Sequence, residues 1–186
     1  MEHPPFRTLN SQVVYQNPWV QVQQDEVEVR ASGHRFQYAF MSSAPSVMVV
    51  AVTDRRKLVL VRQYRYPGRE YAYELPGGGS RAQTPRQAAQ RELQEETGYR
   101  AAHLRKLGEF VVFCGLSDEI CHVYLARRLR PGKQKLEKTE HLTVREVTYE
   151  QLQRMVRRGE FRDGMGLAAL HLATPALERE LGNNAR

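Results

Sequence analysis

A glycine turn leading into a short helix that carries its acids on the core-facing side constrains this chain more than any other feature. Residues Glu74-Leu-Pro-Gly-Gly-Gly-Ser80 are followed by Arg91-Glu-Leu-Gln-Glu-Glu-Thr-Gly98. Thr84-Pro85 starts the helix, because a Thr at the N-cap satisfies an orphan N–H and a Pro at the first helical position forfeits none. Gly98 closes it. At 100° per residue, Glu95 and Glu96 fall within about 60° on either side of Glu92. Ala88, Ala89 and Leu93 lie beside them, while Gln87, Gln90, Gln94 and Thr97 take the opposite, solvent-directed face.

This reverses the usual amphipathic order. Glu92 and Glu96 also form a like-charge i,i+4 pair that costs an isolated helix roughly 0.2–0.5 kcal/mol. Arg91 offsets part of that. Carboxylates converging beside a packed face call for a cation, and an all-oxygen set with room for water and phosphate oxygens suits Mg²⁺ or Mn²⁺. The plainer alternative is a surface helix laced by Glu–Arg ion pairs.

Joined to the glycine run, the segment Gly77-x5-Gln83-x7-Arg91-Glu-Leu-Gln-Glu-Glu-Thr-Gly-Tyr99 resembles the Nudix box, G-x5-E-x7-R-E-U-x-E-E-x-G-U with U apolar. Gln83 stands where the family has Glu, and Tyr99 is a loose fit to U. Glu74-Leu-Pro-Gly-Gly78 is similar to the Glu-Leu-Pro-Ala-Gly start of the loop in the ADP-ribose pyrophosphatase branch, a register in which this loop is one residue short. Either register lacks one acid, which bears on a peripheral metal site rather than on the chemistry. The resemblance implies that Gly77, Glu92, Glu95 and Glu96 hold metal. Among the catalytic residues it implies Arg91 and Glu95. Glu74 orients Arg91 or touches a metal, and the first is the expectation.

At 186 residues and 41% hydrophobic, the chain can bury one sound core with a small appendage. A net charge of +7 admits nucleic acid, acidic membrane or small phosphorylated substrates without choosing among them. Arginine supplies most of it, and arginine suits bidentate phosphate contacts. Two cysteines, Cys114 and Cys121, are too few for a disulfide framework and are not in metal-ligand spacing, so a reduced, cytoplasmic setting is expected. Neither a signal-peptide pattern nor a stretch of ~20 apolar residues is seen.

Along the chain, residues 1–44 read as a small antiparallel β extension, with strands in Val13–Tyr15, Trp19–Val29 and Phe36–Phe40 and a hairpin turn at Ala31-Ser-Gly-His34. Such a sheet is marginal alone and must pack on the main domain or on a second subunit. The resemblance implies a homodimer formed through it. Residues 45–186 then form the main domain. Ser46–Val52 reads as a buried strand with Lys57–Gln63 as its partner and Glu70–Leu75 feeding the glycine run. Lys106–Val112 and Ile120–Ala126 follow the helix, Arg127–Thr139 reads as a mobile basic loop, and Leu142–Val147 is a last strand. Thr148-x-x-Gln151 is a capping box for a helix to Arg158, and Gly159–Asp163 with Leu167–Leu172 resembles the closing helix of the same family. Residues 181–186 read as a frayed tail. This order gives a mixed sheet between helices, an α/β/α sandwich.

Three further segments resemble the same branch. Arg62-Gln-Tyr-Arg65 looks like its Q-Y-R segment, which implies that Arg65 binds the substrate's diphosphate. Gly115-Leu-Ser-Asp-Glu119 is similar to its Gly-Phe-Ser-Asp-Glu loop, with Cys114 in place of a Pro, and implies Gly115 and Glu119 as substrate contacts. On the late loop the resemblance implies an acid that acts as the base activating water; Glu140 matches best and Glu137 is second. The activity implied is Mg²⁺-dependent hydrolysis of a nucleoside diphosphate-sugar, ADP-ribose first, with GDP-mannose or ADP-glucose as alternatives. Action on RNA 5′ ends is a second reading, against which the sequence shows neither an RNA-binding motif nor an aromatic-basic platform. A non-catalytic nucleotide sensor is a third.

Overall fold

Alternating polar and branched residues carry residues 6–42 into three strands, β1 (Phe6–Gln16), β2 (Gln21–Val29) and β3 (Arg35–Ser42), paired antiparallel in that order. Asn17 turns β1 into β2 by accepting the N–H groups of Trp19 and Val20 through its side chain at 2.8 and 2.7 Å. Gly33, at φ 68°, lies in the turn before β3. The computed structural model describes residues 3–181. It divides into two units, Met1–Ala44 with Val111–Ile120 and Pro45–Phe110 with Cys121–Arg186. The Val111–Ile120 segment joins the first unit through β3: Leu116 O accepts from Met41 N, and Asp118 accepts from the Ser42 hydroxyl and Ser43 N.

The second unit is built on β4 (Ser46–Ala51), whose every residue is buried. It sits inside a mixed sheet of order β7-β4-β9-β8, antiparallel to β7 (Gly77–Gly79) and parallel to β9 (Ile120–Arg130); β8 (Arg100–Val111) lies at the edge. Val47, Val49 and Ala51 pack against Ala88, Ala89 and Leu93 of α1 (Pro85–Thr97). The period of two turns Met48 and Val50 to the opposite face, where β4 meets α3 (Gly164–Leu181). Helices therefore cover both faces of the sheet. A separate antiparallel sheet, β10-β5-β6, is made of β5 (Leu58–Arg65), β6 (Glu70–Glu74) and β10 (Leu142–Val147). A short helix, α2 (Tyr149–Arg157), follows with its capping box formed by Thr148 and Gln151.

The glycine run is a strand, β7, and not a flexible turn. Its glycines are needed for space: a Cβ on Gly77 would lie 2.3 Å from Val47 O, and one on Gly78 2.5 Å from Glu92 Oε1. The basic stretch after Ala126 continues β9 to Arg130, and its loop docks on the end of α1, with Gln134 Nε2 donating to Glu96 O and Lys135 N to Glu95 O. The segment read as mobile thus satisfies carbonyls that a helix end leaves free. The closing helix is longer than Leu167–Leu172 and ends at the buried Leu181; residues 182–186 of the expected tail lie outside the described residues.

Candidate active site

Helix α1 is held at both ends by local chemistry. The Thr84 side chain accepts from Gln87 N, Gln87 Oε1 accepts from Thr84 N at 3.0 Å, and Gly98, at φ 76°, closes the last turn onto Gln94 O. With the helix so fixed, Ala88, Ala89 and Leu93 face the core and carry Glu92 and Glu96 inward with them; both glutamates are buried. Glu95 is half-buried at the rim. Thr97, expected on the solvent side, is buried too, its hydroxyl bonding Leu93 O and accepting from Tyr99 N as the chain leaves the helix.

The site joins this helix to β7. Gly77 N donates to Glu96 Oε2 at 2.9 Å, and Arg91 Nη2 donates to Gly79 O at 2.8 Å. Arg91 also pairs with Glu92 Oε1 and Glu95 Oε2, each at 2.7 Å, while its Nε donates to Gln83 Oε1 at 2.8 Å. One guanidinium thus holds two carboxylates, the glycine backbone and the residue that stands where the Nudix box has Glu. Burial pushes the Glu96 carboxyl up to about 8, with Glu92, Glu140 and Glu74 adding to the rise and the Gly77 bond opposing it. Burial also raises Glu92, against the pull of Arg91.

Among the described residues no three Asp, Glu, His or Cys side chains form a ready-made ion cage. Arg91 stands among the carboxylates, and Glu96 turns to the Gly77 N–H. The donor chemistry nevertheless fits a hard divalent cation: every donor is oxygen, and the two buried acids are held in surroundings that oppose their negative charge unless a positive charge joins them.

Arg65 and Glu74 differ from the expectation that Glu74 orients Arg91. Arg65 Nε and Nη2 bond Glu74 Oε1 and Oε2 at 2.8 and 2.5 Å, and Gln63 Nε2 adds a third bond at 2.9 Å. In the β5–β6 ladder Gln63 lies opposite Ala72 and Val61 opposite Glu74, so Gln63, Arg65 and Glu74 share a face. The carboxylate holds the Arg65 guanidinium more firmly protonated than usual. On the late loop, Glu140 Oε2 accepts from Glu137 N at 2.8 Å, and Glu137 pairs with Arg81. Gly115 and Glu119 belong to the first unit, where Gly115 O accepts from Tyr38 and Glu119 N donates to Ser117.

Arg81 is the residue that sequence reasoning missed. It follows the glycine strand in a left-handed conformation, φ 52°, and the carboxylates of Glu137, Glu92 and Glu95 raise its pKa. No local signal marks a non-glycine residue for that conformation, and its partner is 56 residues away. An aromatic-basic platform also exists where none was legible. On the exposed face of β5–β6, Arg62 lies 4.3 Å over the Tyr71 ring, Tyr64 meets Tyr71 edge-on, and Arg145 lies over Tyr73. The register Arg62–Tyr73 and Tyr64–Tyr71 places these side chains together.

Comparison with known proteins agrees with this architecture. Residues 42–165 match the NUDIX domain, and residues 6–34 match the nucleoside diphosphate sugar hydrolase N-terminal domain. The chain belongs to the NUDIX family and is a Nudix hydrolase. It is 32% identical to an ADP-ribose pyrophosphatase of Bacillus subtilis (strain 168) over 84% of this chain and 86% of that one. It is 29% identical to a methanol dehydrogenase activator of Bacillus methanolicus over 88% and 90%. A solved structure described as an ADP compounds hydrolase superposes with a TM-score of 0.85 at 22% identity, over 97% of this chain and 98% of that one. No described helix is long and apolar enough to cross a membrane.

Proposed function

We propose that this chain hydrolyses the diphosphate linkage of a nucleoside diphosphate-sugar in a Mg²⁺-dependent reaction, with ADP-ribose, cleaved to AMP and ribose 5-phosphate, as the leading substrate. One observation carries the reading: two buried carboxylates, Glu92 and Glu96, set against the backbone of Gly77–Gly79, with Arg91 joining helix to strand. When bound, a divalent ion neutralises charge on phosphoryl oxygens and makes a bound water more acidic. Glu92, Glu95, Glu96 and the Gly77 carbonyl are the groups that hold it. Arg91 fixes the carboxylates and keeps their repulsion from spreading the helix end. Arg65, aligned by Glu74, presents its fork to the diphosphate. Glu140 takes the proton from the attacking water; Glu137 serves less well, because Arg81 already engages it. Gly115 and Glu119 enter as substrate contacts through the loop resemblance.

The test is release of the nucleoside monophosphate, AMP from ADP-ribose and ADP-glucose and GMP from GDP-mannose, with and without Mg²⁺. Glu92→Gln and Glu96→Gln each abolish ion-dependent turnover; full turnover in either variant overturns the assignment. A second reading, hydrolysis at RNA 5′ ends, is favoured by the Arg62–Tyr71–Tyr64 platform, since stacking on aromatic faces is worth about 1–3 kcal/mol per base. Diphosphate release from 5′-triphosphate RNA in the same panel separates the two.

The same reading makes the first unit the dimerisation element of a homodimer. Exposed Tyr15 and Trp19, the latter 79% accessible, support an interface there. Deleting residues 1–42 lowers the particle mass in light scattering to that of a monomer; an unchanged dimer rejects the role.

A further inference from the structure

In the second unit, away from the carboxylates, cations gather with too few anions. β4 meets the glycine strand through Ser46–Met48. The cationic cluster forms near Val52 and Thr53, which line part of it, roughly 13 Å further along at about 3.3 Å per residue. His103, Arg105, Arg127 and Arg128 line a cavity of about 280 Å³, with Leu104 and Leu125 as apolar walls. Arg56 joins Arg127 and Arg128 in an adjoining cavity.

The available anions do not balance this set. Glu180 pairs with Arg127, and its backbone carbonyl accepts from Arg56 at 2.6 Å. Asp54 lines only the adjoining cavity. Among the described residues Arg105 has no acidic partner, and the buried Nε of Arg127 has no hydrogen-bond partner. Arg128 Nη1 lies 3.1 Å from His103 Nε2, a contact that supplies no negative charge. Burial, and then the repulsion of Arg105 and Arg179, push the Arg127 guanidinium below its usual range, which a bound dianion reverses.

The backbone is bent to bring the arginines together. Tyr124, Ala126 and Leu129 belong to the core facing α1. Alternation turns Leu125 and Arg127 to the other face. Arg128 then takes a left-handed conformation, φ 50°, so that two consecutive arginines line one cavity instead of opposite faces of the strand. A long side chain adopts that region at a cost. Arg56, in the adjoining cavity, is left-handed as well, at φ 60°.

We propose that this cavity is a second anion site, separate from the carboxylates, which binds a phosphate group carried by inorganic phosphate or by a phosphomonoester. Guanidinium forks match phosphate oxygens two at a time, and a dianion satisfies Arg105 and the free Arg127 donor together. The inference does not depend on the diphosphatase reading.

The test is thermal unfolding and titration calorimetry of the full chain with a chelator present, comparing the wild type with Arg105→Gln/Arg128→Gln. Inorganic phosphate raises the wild-type Tm saturably, beyond chloride of equal ionic strength. The double variant has a higher Tm than wild type without phosphate, because repulsion is relieved, and binds phosphate at least tenfold more weakly. A merely structural role for these arginines predicts the opposite sign for the first result. Ribose 5-phosphate and AMP, titrated in parallel, tell the sources apart: equal affinity with inorganic phosphate means the phosphate alone is read, and tighter binding means the organic part contributes. An equal phosphate response in both proteins, or a wild-type response no greater than that to chloride, overturns the site. Arg105→Gln alone, at an exposed position, gives the same comparison if the double variant does not fold.

Discussion

Three adjacent glycines in β7 face three different environments, and alanine at each isolates what that strand does. None of the three has a positive φ, so alanine is conformationally allowed at all of them. At Gly79 a Cβ meets nothing within 4 Å, whereas at Gly77 it lies 2.3 Å from a backbone carbonyl and at Gly78 2.5 Å from a carboxylate oxygen. Gly79→Ala therefore stabilises by about 0.4–1 kcal/mol through the unfolded chain alone. Gly77→Ala must separate β7 from β4, straining the pairs Met48–Gly77 and Val47–Gly78 and the Gly77–Glu96 bond. Overpacking against an atom that cannot rotate away costs about 3 kcal/mol.

At about 2–4 °C per kcal/mol for a chain of this size, Gly77→Ala lowers Tm by roughly 6–12 °C and Gly79→Ala raises it by roughly 1–4 °C. Gly78→Ala differs in kind. Its Cβ meets the Glu92 side chain, which can swing aside, so the Tm loss is smaller, while the displaced carboxylate removes ion-dependent turnover. Differential scanning calorimetry and nucleotide release on the three variants give the pattern. If Gly78→Ala keeps full activity, Glu92 has no work at that position; if Gly77→Ala and Gly79→Ala shift Tm alike, the close approach of β7 to β4 is wrong.

Three further outcomes follow from the site. Glu74→Gln loosens Arg65 without removing its guanidinium, so KM for a diphosphate substrate rises about tenfold, the equivalent of 1.36 kcal/mol, with kcat little changed; a change confined to kcat counts against a binding role for Arg65. The folded Glu96 carboxyl is raised from 4.5 to about 8, so its neutral form is favoured in the fold. The stability this lends is complete below pH 4.5 and lost as pH rises through about 8, so Tm in chelator falls over that window and Glu96→Gln flattens the fall; equal slopes for both proteins refute it. Thr84→Ala removes the capping box and costs about 1 kcal/mol, read as a lower denaturant midpoint at unchanged slope.

Local chemistry made α1 legible: its caps, its period and its inward acids all lie within 15 residues of sequence, and Pro85–Thr97 ends where Thr84 and Gly98 say it ends. The strand Leu142–Val147 and the Thr148–Gln151 box were legible for the same reason. What escaped depends on register and on distant partners. Arg65 takes Glu74 because the β5–β6 ladder puts their side chains on one face, and no pattern within either strand fixes that pairing. The tyrosines of the exposed platform were visible as strand formers, but their stacking with Arg62 and Arg145 exists only after three strands align. The glycine run read as a turn because glycine permits turns; its strand geometry follows from the close approach of β4, which is contributed by residues some 30 positions earlier.

Gln83 offers the sharpest remaining test of how the Nudix box operates in this chain. Its Oε1 accepts from Arg91 Nε at 2.8 Å, a role that needs an acceptor and not a charge. The amide therefore keeps the bond that positions Arg91 while lowering the negative charge beside Glu92 and Glu95. Gln83→Glu restores the charge at constant shape. Because Gln83 is exposed, the added attraction for a divalent ion is that of a surface pair, about 0.2–1 kcal/mol, or roughly a 1.4- to 5-fold tighter Mn²⁺ Kd. Arg91 keeps its bond, so Tm in chelator stays within about 2 °C of wild type. Manganese titration followed by electron paramagnetic resonance reads the affinity directly. A gain above 100-fold would mean that residue 83 becomes a direct ligand, so that the native chain lacks one; an unchanged Kd would mean that the ion sits too far from residue 83 for the glutamate-based assignment to hold.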